Sequence, residues 1–534
     1  MENSTLELGN CFESVCYSLL RPDIYELHRK IIGTQFMTFS TGMKKYYYKV
    51  FILFFFTFAY FFQGGGWNQN SKICLVRSII HHGTFTIDAC REDTREMTFA
   101  NTGDYSIYNG HYYSNKSPGH AFLAVPSFAI AEYIFSYLFP DDPELQIRLS
   151  AYISTVFTTV LCSTLLCLLM FRFYLVYFHI NVSAAFILTA CFGLGTLAFS
   201  YSTTFYTHIL SAFFLFFAFT LLLNVRMGHT EHQKKSVFFA GLATGMGVLG
   251  EPSALYACGF FFLYMLTFRQ TRALIPYFIL GGMPCAVIQL SYNIVCFGGP
   301  LSYSYQFANE TVMVKANGRL FGIPPLKVIL NLLILPYRGL FVSSPILLMA
   351  IPGFFIGIRS RKFTVEVIVA SMIAIAFFVF LASYYGWDGG STVGPRDIIP
   401  MFPFLFLVAS FSFLTFPKTF TAIGILSVII NLGITIVGNE VPSKIGNPLI
   451  DVIAKNLLKG NVSINPFPVS FLEHYTALYP SLYDFGNVEK WQPNFNSFNL
   501  GELLFPNSLL SILPLLCFWC LWGYVWIRKL KHTA

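Results

Sequence analysis

Thr102–Gly119 reads TGDYSIYNGHYYSNKSPG, and Ala121–Phe139, just beyond it, reads AFLAVPSFAIAEYIFSYLF. The first stretch gathers a carboxylate (Asp104), a lysine (Lys116), a histidine (His111) and Tyr105, Tyr108, Tyr112 and Tyr113. The second is apolar and close to the ~20 residues that cross a bilayer. Whether it crosses decides which side of the membrane every later loop faces.

The chain around these stretches is mostly hydrocarbon. Of 534 residues 55% are hydrophobic and 11% charged, with a mean hydropathy of +0.59. Soluble domains carry roughly 25% charged residues. Backbone polar groups in lipid must be satisfied within their own segment, so the expected fold class is an all-α polytopic membrane protein. The 60 Phe suit lipid-facing surfaces. The net charge of +8 is read through its placement and does not call for a nucleic-acid partner.

Further apolar runs lie at Tyr46–Phe62, Ile153–Phe171, Ala184–Phe199, Ile209–Leu223, Val237–Leu249, Ala254–Phe268, Ile275–Cys296, Ile329–Ile356, Val365–Ala382, Met401–Phe416, Thr419–Val437 and Leu509–Ile527. Basic clusters punctuate them at Lys44–Lys49, Arg172, Arg226–Lys235, Arg269–Arg272, Arg359–Lys362, Lys418 and Arg528–Lys531. All of these land on one side only if Ala121–Phe139 does not fully cross. That run is therefore expected to be re-entrant or interfacial, leaving about twelve true spans with both termini cytoplasmic. Gly250-Glu251-Pro252 must then form a hairpin between two short spans.

The expected organisation is a cytoplasmic leader (1–45), a transmembrane module (46–437) with a first outside loop (64–119), an extracytoplasmic cap (438–505), and a last span with a basic tail (506–534). Gly298–Leu326 and Tyr384–Pro400 complete the outside segments. Ser71–His82 has helical spacing with polar faces, so it is expected to lie flat on the membrane. The N-terminus shows no cleavable signal peptide, so the first span is expected to be a retained anchor. Most of the 12 cysteines sit in apolar runs and read as small core residues. Cys74 and Cys90 share the first loop and can pair in an oxidising compartment.

Five sets of residues can carry chemistry. Asp104 can serve as a general base, and Asp88 has the same capacity with plainer neighbours; an Asx-type turn is the simpler role for Asp104. Lys116 precedes Ser-Pro-Gly at a helix start, where it can meet a lipid phosphate or simply snorkel. Tyr105, Tyr112, Tyr113 and His111 can contact a sugar or form an interfacial belt. Tyr384–Asp397 reads YYGWDGGSTVGPRD, placing Trp387, Asp388 and Arg396 among glycines, and Arg396 can grip a phosphate. Arg338, in Pro336-Tyr-Arg-Gly-Leu-Phe, and Glu251 lie in apolar surroundings, where a charge costs roughly 2.5–3.5 kcal/mol at the bilayer centre.

In their order, YYSNKSPG, then GTLAFSYSTTFYTH (Gly195–His208), then PYRGLF, then GGSTVGPR, the motifs resemble those of bacterial integral-membrane glycosyltransferases of the GT-C class. Relatives include the protein O-mannosyltransferases and the lipid A aminoarabinose transferases. The resemblance covers Tyr46 to about Phe416. It implies a sugar donor on a polyprenyl phosphate, transferred on the outer face of what would be a bacterial inner membrane to a glycan, lipid or protein hydroxyl. It also implies a catalytic acid in the first loop (Asp104 or Asp88) and donor-phosphate contacts from Lys116 and Arg396, joined by Arg338. Two departures stand out. Many relatives carry an acidic pair after the first span, where this chain has Trp67-Asn-Gln-Asn-Ser, and some carry a second acid where it has His208, so Asp104 and His208 together are candidates for the base. The sequence shows no nucleotide-sugar fold, Gly-rich phosphate loop or metal-ligand cluster. The rival class is a transporter or lipid-linked-sugar flippase, which calls for ionisable groups in mid-span and pseudo-symmetric halves.

Overall fold

The structure is a computed structural model that describes residues 41–92, 102–308, 320–441, 445–464, 497–506 and 508–531. All contacts discussed lie within one unit, Leu53–Ala534. The described elements are helical apart from a few short strands. Among the described residues, eight helical runs are long and apolar enough to cross a membrane. They are Gly119–Leu138 (α3), Pro143–Tyr177 (α4), His208–Arg226 (α6), Ile275–Phe297 (α9), Thr364–Ser383 (α10), Arg396–Phe413 (α11), Pro417–Val437 (α12) and Leu509–Trp526 (α13). Shorter apolar helices occupy Val182–Gly193 (α5), Pro252–Thr267 (α8) and Pro345–Ile358. Thr41–Ala59 (α1), Trp67–His82 (α2) and Gln233–Gly250 (α7) are helical as well.

The chain breaks where backbone chemistry demands it. Glu251 is extended (φ −148°, ψ 113°), as expected of a residue before proline, and α7 stops there. The run Ile329–Ile356, expected as one span, is instead interrupted: Leu326–Leu333 ends, Pro336 and Arg338 form a turn, and helix resumes at Leu340. Pro336 cannot extend the helical ladder. α7 packs most closely on α9, with glycines at the contact. A Cβ on Gly241 would lie 1.9 Å from the Phe278 carbonyl oxygen, and one on Gly281 would lie 1.9 Å from that of Phe238. Small residues are what let two backbones approach this closely in lipid.

α4 is 35 residues, about 52 Å at 1.5 Å per residue, well beyond the ~30 Å hydrocarbon core. Asp142 caps it by accepting from Leu145 N, and Pro143 occupies the first turn. Its two halves have different neighbours. The first half lies antiparallel to α3: Gln146 Nε2 donates to the Phe139 carbonyl at the far end of α3, and His120 at the near end meets Thr158 and Thr159. The second half packs on α5 and α6. A π-type turn at Val156–Val160 divides them.

Thr102–Gly119 forms a β-hairpin. Phe61–Phe62 (β1) pairs with Phe498–Asn499 (β4), and Tyr105–Tyr108 (β2) pairs antiparallel with His111–Ser114 (β3) around Asn109-Gly110, both at positive φ (49° and 82°). Asn-Gly is the usual type I′ hairpin signal, and its right-handed twist matches the strands. The hairpin packs on α2, α3 and the end of α9 in one apolar cluster that includes Ile73, Val76, Tyr113, Ala124, Tyr292 and Phe297. The first half of α2, in the stretch expected at the membrane surface, is covered by protein. Gln69 to Val76 are all buried in protein, and Cys74 is disulfide-bonded to Cys90. Cys167, Cys191, Cys285 and Cys296 are buried as expected, whereas Cys517 and Cys520 are exposed.

Candidate functional site

Polar groups from distant segments meet where several helices end on one side. α1 finishes just before Gly64, α2 and α3 begin there, α6 starts at His208, α7 ends at Glu251, Arg396 opens its run, and Glu440 follows α12.

Asp104 sits at the base of the hairpin. Its amide accepts support from Thr102 by donating to Oγ1 at 3.0 Å, and its carbonyl accepts from Ser71 Oγ (2.6 Å) on α2. Lys116, two residues beyond β3, brings Nζ to 3.0 Å from Asp104 Oδ2. Burial pushes the Asp104 carboxyl up, but Lys116, with Arg396 adding to it, more than reverses this and holds it below its ordinary value. Burial alone would lower the Lys116 amine; Asp104 and Tyr305 raise it instead.

Arg396 comes from the loop opened by Gly389, Gly390 and Gly394, all at positive φ. Its Nη1 donates to Tyr206 Oη (2.7 Å), and that hydroxyl donates to Glu440 Oε1 (2.9 Å). The guanidinium carbon lies 4.8 Å from the Tyr206 ring centre. Glu440 fits because residue 66 is glycine: a Cβ there would lie 1.8 Å from Oε1. Burial raises the Glu440 carboxyl above the usual range, against the pull of Tyr206 and Arg396.

Lys72 is the site residue that sequence reading missed. It is 1% exposed on α2, with Nζ donating to the Phe205 carbonyl (3.1 Å) and 5.2 Å above the Tyr206 ring. Burial lowers its amine well below the ordinary lysine value, and Lys116 and Arg396 lower it further. A lysine in a largely polar run (Trp67–Lys72) on a helix read as surface-lying gave no cue to burial. Glu440 was equally hidden, as a lone carboxylate in a segment read only as a cap. Tyr206 lay inside a quoted motif without a role.

The other expected site residues divide. His208 joins the site, between Glu251 (3.0 Å) and Asp397 (3.5 Å). Asp88 lies toward the hairpin tip, holding His111 Nδ1 (2.8 Å) and the Tyr112 amide (2.7 Å), roughly 10 Å along the strands from Asp104. Tyr105 packs edge-on against Tyr112 (5.3 Å), and Tyr113 against Phe297 (5.4 Å). Arg338 is 0% exposed and spent on carbonyls: Asp388 (2.7 Å), Tyr337 (2.9 Å) and Gly390 (2.6 Å). Asp388 accepts from Tyr337 Oη (3.3 Å), and Trp387 lies edge-on to that ring at 6.0 Å.

The fold has distant likenesses among solved structures. ArnT from Cupriavidus metallidurans in the apo state is 16% identical with a TM-score of 0.42, over 67% of this chain and 57% of that one. ArnT bound to undecaprenyl phosphate is 14% identical with a TM-score of 0.42, over 70% and 60%. The apo oligosaccharyltransferase of Archaeoglobus fulgidus is 15% identical with a TM-score of 0.43, over 76% and 57%. The chain thus spans less than two thirds of each of these proteins. No protein-family model and no curated protein matches it. Residue roles therefore rest on this chain's own geometry.

Proposed function

We propose that this protein is a membrane glycosyltransferase that moves a sugar from a polyprenyl-phosphate donor to an extracytoplasmic acceptor hydroxyl. One observation carries the reading. Lys72 and Arg396 both stand against the Tyr206 ring, with Nζ at 5.2 Å and the guanidinium carbon at 4.8 Å, and burial lowers the Lys72 amine, the charges of Lys116 and Arg396 adding to it. A lipid phosphate entering among them relieves that repulsion, and it is the charge that grows on the leaving group as the glycosidic bond breaks. Cations fixed in place beforehand stabilise such a transition state without reorganisation. Lys116 stays paired with Asp104 and turns a further N–H to the phosphate, and Arg396 presents its fork to the phosphate oxygens. Arg338 takes a different part from phosphate binding: it shapes the loop that carries Arg396. Asp104 and His208 are the candidate proton acceptors.

Topology supports the outer face. α3 lies along only the first half of an over-long helix, as a re-entrant or interfacial helix would, and such a helix would keep the basic clusters together on the side opposite the site. The Cys74–Cys90 bond suits an oxidising compartment. Glu251, one of the two deep charges that would favour a transporter, lies at a helix end against His208, and Arg338 is satisfied by protein.

The test is transfer of radiolabelled sugar from a panel of polyprenyl-phosphate sugars in proteoliposomes. The wild type is expected to transfer and Lys116→Met to lose most of that activity. No transfer from any lipid-linked sugar by the wild type would turn the assignment toward a transporter. Full activity in Asp104→Asn would remove Asp104 from the chemistry.

A further inference from the structure

A second set of titratable groups stands beside the Lys116–Asp104 pair. His208 opens α6 and is 5% exposed. Its Nδ1 lies 3.0 Å from Glu251 Oε2, at the end of α7, and its Nε2 lies 3.5 Å from Asp397 Oδ1. The Tyr206 ring stacks on the imidazole at 5.6 Å and 16° and fixes its plane. Nε2 is buried and makes no hydrogen bond. In a neutral imidazole one nitrogen donates and the other accepts. With Nδ1–H given to Glu251, the Nε2 lone pair is aimed at the side where Asp397, with a side chain 28% exposed, opens toward the site. A carboxylate that orients an imidazole whose other nitrogen faces the reacting group is the general arrangement of an activated base.

We propose that His208, oriented by Glu251, is the general base of the transfer reaction, with Asp397 steadying the imidazolium it becomes. The proposal rests on the glycosyltransferase reading above. The acceptor O–H bond breaks, its proton passes to His208 Nε2, and its electron pair forms the new bond to the anomeric carbon. The bond from that carbon to the phosphate oxygen breaks, and its electron pair stays on the phosphate, facing Lys116 and Arg396. The proton leaves to solvent through Asp397 after product departs. Asp104 is the weaker candidate, because its carboxylate already belongs to Lys116.

The charged and titratable groups facing His208 come from every side. They are Glu251 on α7, Asp397 and Arg396 on their shared run, Tyr201 and Tyr206 before α6, and Lys72 and His120 from α2 and α3. Protonation of the imidazole before the acceptor arrives abolishes the base, so activity should fall on the acid side through a limb that belongs to His208.

The experiment measures release of undecaprenyl phosphate from undecaprenyl-phosphate sugars by the full chain in proteoliposomes across pH, together with binding of undecaprenyl phosphate itself. His208→Gln is expected to keep binding, to turn over about a hundredfold more slowly, and to lose the acid limb. Added imidazole is expected to restore part of the rate in His208→Ala. Wild-type turnover in His208→Gln, or an unchanged acid limb on a reduced rate, would overturn the base assignment and leave the transfer reading standing. If His208→Gln does not fold, Glu251→Gln decides: a rate down about tenfold supports the proposal and a wild-type rate overturns it. No release by the wild type from any donor would defeat the transferase reading itself.

Discussion

Arg338, fully buried, and Arg396, partly buried, both sit in short Pro/Gly motifs and both serve the loop between Tyr384 and Pro400. Arg338 donates to the carbonyls of Tyr337, Asp388 and Gly390. Arg396 donates to one phenol, and its Nε makes no hydrogen bond, lying 3.8 Å from Asp397. A guanidinium surrounded by carbonyls is a structural brace, because any ligand would have to replace bonds already made. One with unused donors among other cations is poised for an anion. Two side chains of the same type thus have opposite uses, and the difference lies in what their nitrogens touch.

The largest expected effect separates them directly. Arg396→Ala should cost about 10²–10³ in turnover, the loss seen when one fixed transition-state donor is removed, while unfolding stays near wild type. Arg338→Met should do the reverse. It strands buried carbonyls at about 1–3 kcal/mol each, so the melting temperature falls sharply while folded molecules still bind undecaprenyl phosphate. If the two variants show the same profile, the comparison fails.

Breaking the disulfide with Cys74→Ala and Cys90→Ala should cost about 3 kcal/mol by loop-closure entropy for 16 residues of separation. Because it pins the α2 side of the site, undecaprenyl phosphate binding should weaken with it, and Arg338→Met should show no such link.

Lys72 gives a test of sign. Its folded amine is depressed, so between that value and the ordinary lysine value near ~10.4 the unfolded chain binds more protons, and stability rises with pH. Lys72→Met should therefore raise the melting temperature at neutral pH while weakening undecaprenyl phosphate binding. Asp104 behaves oppositely to a buried lysine. Its folded carboxyl lies low, so its contribution is full above the ordinary carboxylate value near ~3.9 and is lost as pH falls through the folded value. The smallest effect belongs to Tyr206→Phe. It removes the hydroxyl linking Arg396 to Glu440 and should weaken phosphate binding by about 1 kcal/mol, measured by titration with undecaprenyl phosphate.

Much of the molecule is legible in its composition and order of residues. Hydrocarbon runs define helices because lipid offers the backbone no other partner, and Pro252 and Pro336 mark two breaks because proline withholds an N–H. Asn109-Gly110 signalled a hairpin that a reading tuned to helices passed over. The placement of basic clusters calls for an interfacial Ala121–Phe139, whereas the helix found there, α3, is by length and composition able to cross a membrane. Lys116, Arg396 and His208 were also visible, because polar groups in an apolar chain are costly unless used.

The sequence could not say which charges meet. Lys72 lies in a run that looks like surface, Glu440 in one that looks like a cap, and Arg338 in a motif that looks like a binding site. Their roles depend on contacts between residues up to several hundred positions apart, such as Tyr206 with Glu440 and Lys72 with Phe205. Local propensity carries no information about such contacts. Only the packing of helix ends brings three cations together and leaves one of the two arginines with nitrogens still to bond.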